Sequence, residues 1–282
     1  MIRPALQNEG FLADVEQART QPEFLHLWWL GQSGFLVLWQ GRHLLLDPYL
    51  SDSLTRKYAA TDKPHVRMTE HVVEPSRLNF IDVVTSSHSH TDHLDQDTLK
   101  PLLKVNPKLE LVIPEANREL VVNRLEIMAE VPRGLDAGQS ITLAGFKIHA
   151  VPAAHNEVEK DPWGRHKFLG YVVEAGPCTL YHSGDTRWYA GMEERLRQWP
   201  IDIALLPING DDPSRRVAGN LNGAEAASLA KAIGAGLVIP CHYQMFEFNT
   251  AGTGGFVTRA QELGQPYQIL QCGERWSSCG MR

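Results

Sequence analysis

Short apolar runs separated by polar punctuation dominate this chain, and most of them have the length of strands, not helices. Residues 24–30, 35–39 and 43–47 are rich in β-formers, with a glycine turn at 31–34 and a Gln40-Gly41 hairpin signal between them. Pro48 closes the third run, so the three predict a meander that starts a sheet. Strand-like runs recur at 80–84, 109–113, 140–143, 146–151, 168–174, 179–182, 201–206, 236–240 and 267–270. Helical spacing appears at 4–20 through Leu6, Phe11, Leu12 and Val15, and at 115–128 through Leu120, Val121, Leu125 and Met128. Further helices are predicted at 95–104, 187–198, 221–233 and up to Leu263. Strands and helices in this order, followed by hairpins, predict an α/β fold with mixed sheets.

Two polar segments interrupt the pattern. Residues 51–74 have no clean period and read as a long loop, a length that in compact domains often marks a functional lid. His65 and His71 in it read as loop residues, facing substrate at most, and not as ligands. Residues 157–167 read as a solvated loop carrying Trp163, Arg165, His166 and Lys167.

Composition narrows the class. A chain of 282 residues, 43% apolar and 21% charged, can build a full core, and one domain over 1–282 with an N-terminal extension at 1–22 is expected. The net charge of −6 carries no footprint of nucleic-acid binding. Cys178, Cys241, Cys272 and Cys279 form no C-x-x-C pair and read as reduced thiols, although Cys272 and Cys279 could close a late loop. No signal peptide is evident, and the longest apolar stretches are too short to span a bilayer, so a cytoplasmic protein is expected. The first helix is a candidate contact in a homo-oligomer.

The chemistry concentrates in Ser87-His88-Ser89-His90-Thr91-Asp92-His93-Leu94-Asp95. His88 and His90, two apart after an apolar strand, share a face of extended chain. Asp92 and His93 follow at a turn into a helix. Neutral imidazoles and carboxylates suit zinc, manganese or iron, and four ligands split two and two suggest neighbouring metals. The competing reading is a solvated, histidine-rich loop.

His88-x-His90-x-Asp92-His93 resembles the signature of the metallo-β-lactamase-fold hydrolases. That resemblance implies a four-layer αββα sandwich with mixed sheets. It also implies two divalent metal ions, zinc or manganese, and further ligands at His155, Asp185 and His242, each just beyond a strand. Taken alone, His155 is a loop histidine, and the competing reading of Asp185 is the cap of a helix at 187–198. His149, within its strand, reads as packing. In the family Asp185 bridges the two cations, and Asp92 is both ligand and proton acceptor from a water or hydroxide that attacks a carbonyl carbon or phosphorus. Asp47 before Pro48 is a turn residue by its own chemistry, and by resemblance a carboxylate orienting a metal-bound histidine.

Residues 27–34, 180–185, 201–205 and 238–242 look like the L-ascorbate-6-phosphate lactonase branch. The resemblance implies a small, anionic lactone or ester as substrate and places Arg215 as a candidate substrate-binding guanidinium, its bland alternative being a surface arginine beside Asp211 and Asp212. This chain departs from that branch in being shorter at both ends and in carrying His155. The N-acylphosphatidylethanolamine phospholipases D share a similar motif, which keeps a phosphodiester substrate open. A non-catalytic metal-binding or sensing protein is the reading from another class.

Overall fold

A computed structural model describes residues 1–278. The meander forms as β1 (His26–Gly31), β2 (Gly34–Trp39) and β3 (Arg42–Leu46). At the turn between β2 and β3, Gln40 and Gly41 both have positive φ, 47° and 74°, as a two-residue hairpin loop requires. Then β4 (Val83–Thr85), β5 (Glu110–Pro114) and β6 (Pro132–Leu135) join β3 in parallel, and β13 (Arg275–Ser277) returns to pair with β1. The second sheet holds β7 (Ser140–Leu143), β8 (Phe146–Pro152), β9 (Leu169–Ala175), β10 (Cys178–His182), β11 (Ile203–Pro207) and β12 (Leu237–Cys241). Its first four strands are antiparallel neighbours, while β10, β11 and β12 run parallel. Both sheets are therefore mixed.

Helices cover the outer faces. α3 (Gln96–Val105) and α4 (Arg118–Leu125) pack together beside the first sheet, and α6 (Gly223–Ala232) and α7 (Gly254–Leu263) pack together beside the second. Shorter helices, α2 (Ser53–Tyr58) and α5 (Met192–Leu196), lie in connections, and α1 (Glu9–Ala18) buries Phe11, Val15 and Ala18. Phe11 meets Trp28 edge-on at 6.3 Å, and the Trp28 indole donates to Asp14 at 2.8 Å. Burial on both faces explains why β2 and β11 are uninterrupted apolar runs, and why β1 is one after His26, with every residue buried. Strand β7, at the sheet edge, instead alternates exposed and half-buried residues.

The direction of the strands positions everything that follows. β1, β3 and β4 point the same way, as do β8, β10, β11 and β12. Residues just past their C-terminal ends thus collect at one edge of each sheet, the usual place for a ligand crevice in α/β architecture.

Several expectations are corrected. The stretch at 51–74 is not wholly a loop: Leu54 is buried and anchors α2. The predicted helix at 187–198 shrinks to α5, and the one at 115–128 begins as a tight turn at Glu115–Asn117 and ends at Leu125. Residues 267–270 are no strand; Tyr267 makes a single bridge to Val238, and β13 is the last strand among the described residues. β6 was not anticipated, because Pro132 and Gly134 mask its pattern. Cys272 forms no disulfide among the described residues, and its suggested partner Cys279 lies outside them.

One core histidine makes stability pH-dependent. His43 is fully buried on β3 against Phe80 at 4.8 Å, and neither ring nitrogen has a hydrogen-bond partner among the described residues. Burial pushes its pKa down to about 4, while an unfolded chain titrates near 6.5. Because the folded value is the lower, the unfolded state takes up the proton first as pH falls. His43's contribution is therefore complete above about pH 6.5 and is lost between 6.5 and 4, by up to about 3 kcal/mol. Urea unfolding of wild type and His43→Leu should show the two stability curves converging or crossing over that window as wild type weakens. Parallel curves would exclude this origin.

Candidate metal centre

The chain leaves β4 at Thr85 and folds back on itself before α3. Ser86 N donates to Val112 O in the first sheet at 2.9 Å, while Leu169 N, in the second, donates to Ser87 O at 3.0 Å. This loop therefore ties the two sheets together at the edge where the strand ends collect. His93 N and Leu94 N donate to His90 O at 3.1 and 2.8 Å, which turns the backbone tightly enough to present His88, His90, Asp92 and His93 together. Asp95, at the end of the motif, caps α3 by accepting from Asp97 N and Thr98 Oγ1.

The other expected residues arrive from the second sheet: His155 after β8, Asp185 after β10 and His242 after β12. Asp185 can come this close only because Gly184 precedes it. Gly184 has φ +64°, and a Cβ there would lie 2.7 Å from Leu169 O and 2.8 Å from the Ser87 side chain.

Three donor groups form among the described residues; Asp47 with His88 and His93 overlaps the other two, which share no residue: His88 with His90 and His155, and Asp92 with His93 and His242. Within each, the ligand atoms lie within 4.8 Å of one another. Asp185 stands between them. Its Oδ2 is 3.4 Å from His93 Nε2, 3.4 Å from His242 Nε2 and 3.8 Å from His155 Nε2. The seven residues picked from sequence thus come together in one place.

Asp47 sits beneath them, fully buried. Its carboxylate accepts from His93 Nδ1 at 2.7 Å, Ser87 N at 3.0 Å, Thr85 Oγ1 at 2.9 Å and the Ser87 hydroxyl. Holding the proton on Nδ1 aims the lone pair of His93 Nε2 at the site. His155 is fixed likewise, Nδ1 donating to Gly219 O at 2.9 Å. Backbone strain gathers at the same spot: Gln32, Asp47 and His242 all have positive φ, at 49°, 39° and 62°.

The electrostatics fit cations. Burial holds His88 well below the ordinary imidazole range, with His93 and His90 adding to it, and pushes His90 down to about 4. Burial likewise lowers His155. These rings are neutral, as ligands must be. Burial works against the charged carboxylates, yet His93 and His242 overcome it and hold Asp185 well below its usual range, and Asp92 is lowered in the same way. Burial would lower His93 too, but Asp185 and Asp92 raise it well above normal. The carboxylates therefore draw positive charge to this point, a demand that divalent ions meet. His88 Nε2 and His93 Nε2 are buried with no hydrogen-bond partner among the described residues, another feature metal ligation would satisfy.

A cavity of about 430 Å³ opens over the cluster. Its wall adds Gln32, Lys57, Tyr58, His65, Arg124 and the asparagines Asn209, Asn220 and Asn249. His65 stacks on Tyr58 at 4.2 Å, in the segment expected to face substrate. Arg215 is behind this wall: its guanidinium donates to Asn249 Oδ1 at 2.9 Å and Asn209 O at 2.6 Å. His71 lies elsewhere, 3.2 Å from Asp52, and His149 bonds Glu174. Sequence reasoning missed Gln32, whose Nε2 donates to Asp92 Oδ2 at 2.7 Å and lies 3.0 Å from His242 Nε2. It also missed Ser87, which bonds Asp47 and approaches both His88 and His93. Gln32 lay within the stretch 27–34 that carries the branch resemblance but gave no sign of a role at the site, and Ser87 gave none beyond its place beside His88.

Residues 26–242 match the family model described as a β-lactamase superfamily domain. Among curated proteins, a UPF0173 metal-dependent hydrolase of Methanoregula boonei is 31% identical over 83% of this chain and 89% of its own length. Another UPF0173 metal-dependent hydrolase, from Caldivirga maquilingensis, is 29% identical over 78% of this chain and 83% of its own. Among solved structures, isothiocyanate hydrolase from Delia radicum gut bacteria superposes with a TM-score of 0.70 over 90% of this chain and all of that one, at 18% identity, a likeness of fold.

Asp47 offers a direct test of the geometry. Asp47→Asn keeps the shape but weakens its hold on His93, and metal affinity measured by chelator competition should fall about 10- to 100-fold. An unchanged affinity in a folded variant would show that the Asp47–His93 bond does not orient a ligand.

Proposed function

The chain belongs to the UPF0173 metal-dependent hydrolases, on the fold of the β-lactamase superfamily, and from that premise we propose a two-metal enzyme acting on a small anionic lactone or ester. The observation that carries the two-metal reading is the place of Asp185, whose single oxygen reaches His155 on one side and His93 and His242 on the other. His88, His90 and His155 would hold one ion, zinc or manganese, and Asp92, His93 and His242 the other, with Asp185 shared. When bound, such ions polarise an ester oxygen and bring the pKa of water toward about 7.

The protein's own groups do the rest. Asp92 is the proton acceptor: its side chain is 17% exposed against 3% for Asp185, so it meets the cavity while Asp185 holds the pair together from within. Gln32 fixes Asp92 by donating to Oδ2, and Asp47 keeps His93 in one tautomer. Lys57 and Arg124 on the wall supply positive charge for an anionic substrate. Arg124 Nη1 is held by Ser89 O and Leu94 O, which anchors that guanidinium beside the metal loop. The same cationic wall favours, as the second reading, a phosphodiester. Cys178, Cys241 and Cys272 form no disulfide among the described residues, which suits the reducing cytoplasm.

Elemental analysis should find two equivalents of metal per chain. Assay of lactones, carboxylic esters and phosphodiesters, with chelator-stripped protein as control, should give metal-dependent hydrolysis in the first two classes. Phosphodiester turnover alone would replace the lactone reading with the second one, and metal binding without turnover would favour a sensor. Asp92→Asn should lower kcat by about 10²- to 10⁴-fold with an unaltered circular dichroism spectrum; full activity in that variant would remove Asp92 from the mechanism.

A further inference from the structure

The asparagines of the cavity wall form one chain of hydrogen bonds, and its polarity is set from one end. Arg215 Nη1 donates to Asn249 Oδ1 at 2.9 Å. A guanidinium has donors and no acceptor, so the Asn249 atom facing it must be oxygen. Asn209 then has to present its NH2 to that oxygen, and Nδ2 lies 3.0 Å away. This turns Asn209 Oδ1 toward Asn220, which answers with Nδ2 at 3.0 Å. Every amide orientation follows from the one before it, so the usual ambiguity between amide oxygen and nitrogen is removed.

The chain ends on Asn220 Oδ1. Asn220 is 1% exposed, lies on the cavity wall, and its Oδ1 has no hydrogen-bond partner among the described residues. A buried amide oxygen left unpaired costs free energy, so a donor is expected to complete it when the cavity fills. Asn220 also follows Gly219, whose carbonyl anchors His155, so one peptide links the wall residue to the metal cluster. The backbone holds it there: Asn220 N donates to Gly210 O at 3.2 Å, and Gly210 N to Leu221 O at 3.0 Å.

We propose that Asn220 Oδ1 is a specificity acceptor that reads a hydroxyl or N–H donor on the substrate, next to the bond that is cleaved, and that Arg215 is the positioning residue that fixes its polarity. The substrate class narrows accordingly, from a small anionic lactone or ester to one bearing a hydrogen-bond donor close to its reacting carbonyl. Arg215 then acts through Asn249 and Asn209 and does not clamp the substrate. The chemical identity of the substrate rests on the hydrolase reading; the role of Asn220 is tested by binding alone.

Titration calorimetry of the metal-loaded protein with butanoate and with its α-, β- and γ-hydroxy derivatives separates the two. Wild type should bind at least one hydroxy acid more tightly than butanoate, by roughly tenfold or more. A hydroxyl that merely chelates metal would give the same preference in Asn220→Ala; the proposal requires that preference to fall toward unity there. Arg215→Met, which cannot donate, should also reduce the preference, and Arg215→Lys, still an obligate donor, should retain more of it. No hydroxyl preference in wild type, or the same preference in Asn220→Ala, overturns the proposal and means that water alone satisfies the acceptor. A preference unchanged in Arg215→Met overturns the role of Arg215. Absence of turnover with the hydroxyl preference intact would sink the hydrolase reading and leave Asn220 standing, whereas turnover without the preference does the reverse.

Discussion

Asp185 is a carboxylate buried at 3% exposure, and a buried carboxylate stays ionised only where positive charge and hydrogen bonds surround it. Here that requirement organises the molecule's most crowded corner. His93, His242 and His155 close on Asp185 from three different connections, and Gly184 lets it approach a loop from the opposite sheet. The sheets themselves deliver these groups, because the relevant strands all run toward the same edge. A centre whose carboxylates draw positive charge, beside His88, His90 and His155 held neutral by burial, is a place built for cations.

Rigidity at the centre comes from layers of support beneath it. Asp47 gathers four donors from Thr85, Ser87 and His93, so one carboxylate both fixes a histidine tautomer and pins the metal loop to the end of β3. Positive φ at Gln32, Asp47 and His242 is the local cost of aiming three side chains inward from the ends of β1, β3 and β12. The same layering recurs on the substrate side, where Arg215 orders the asparagines that face the cavity without reaching it.

The contrast between the two halves of the cavity bears on chemistry. The floor offers donor atoms that suit divalent ions and one carboxylate, Asp92, exposed enough to take a proton. The wall offers cations at Lys57 and Arg124, the stacked rings of Tyr58 and His65, and amides with a fixed polarity. Hydrolytic chemistry is a property the family shares, while selection of a particular substrate would be written in the wall, which draws on α2 and the segment after it, α4, the connection after β11 and the segment before α7.

By itself the sequence determined most strands of the two sheets and the clustered motif of candidate ligands, because both are local. Uninterrupted apolar runs mark strands buried on two faces, and His88, His90, Asp92 and His93 lie within one bend, so their chemistry is legible without coordinates. His155, Asp185 and His242 were legible only through their shared position after strands and the likeness of their surroundings to a known family. What the tertiary structure alone decided is partnership across long separations. Gln32 meets Asp92 across 60 residues, Asp47 meets His93 across 46, and Arg215 turns away from the cavity to bond Asn249. A glutamine in a turn or an arginine in a loop carries no periodic signal, since its role depends on which atoms stand opposite it, and only the packing of two sheets settles that.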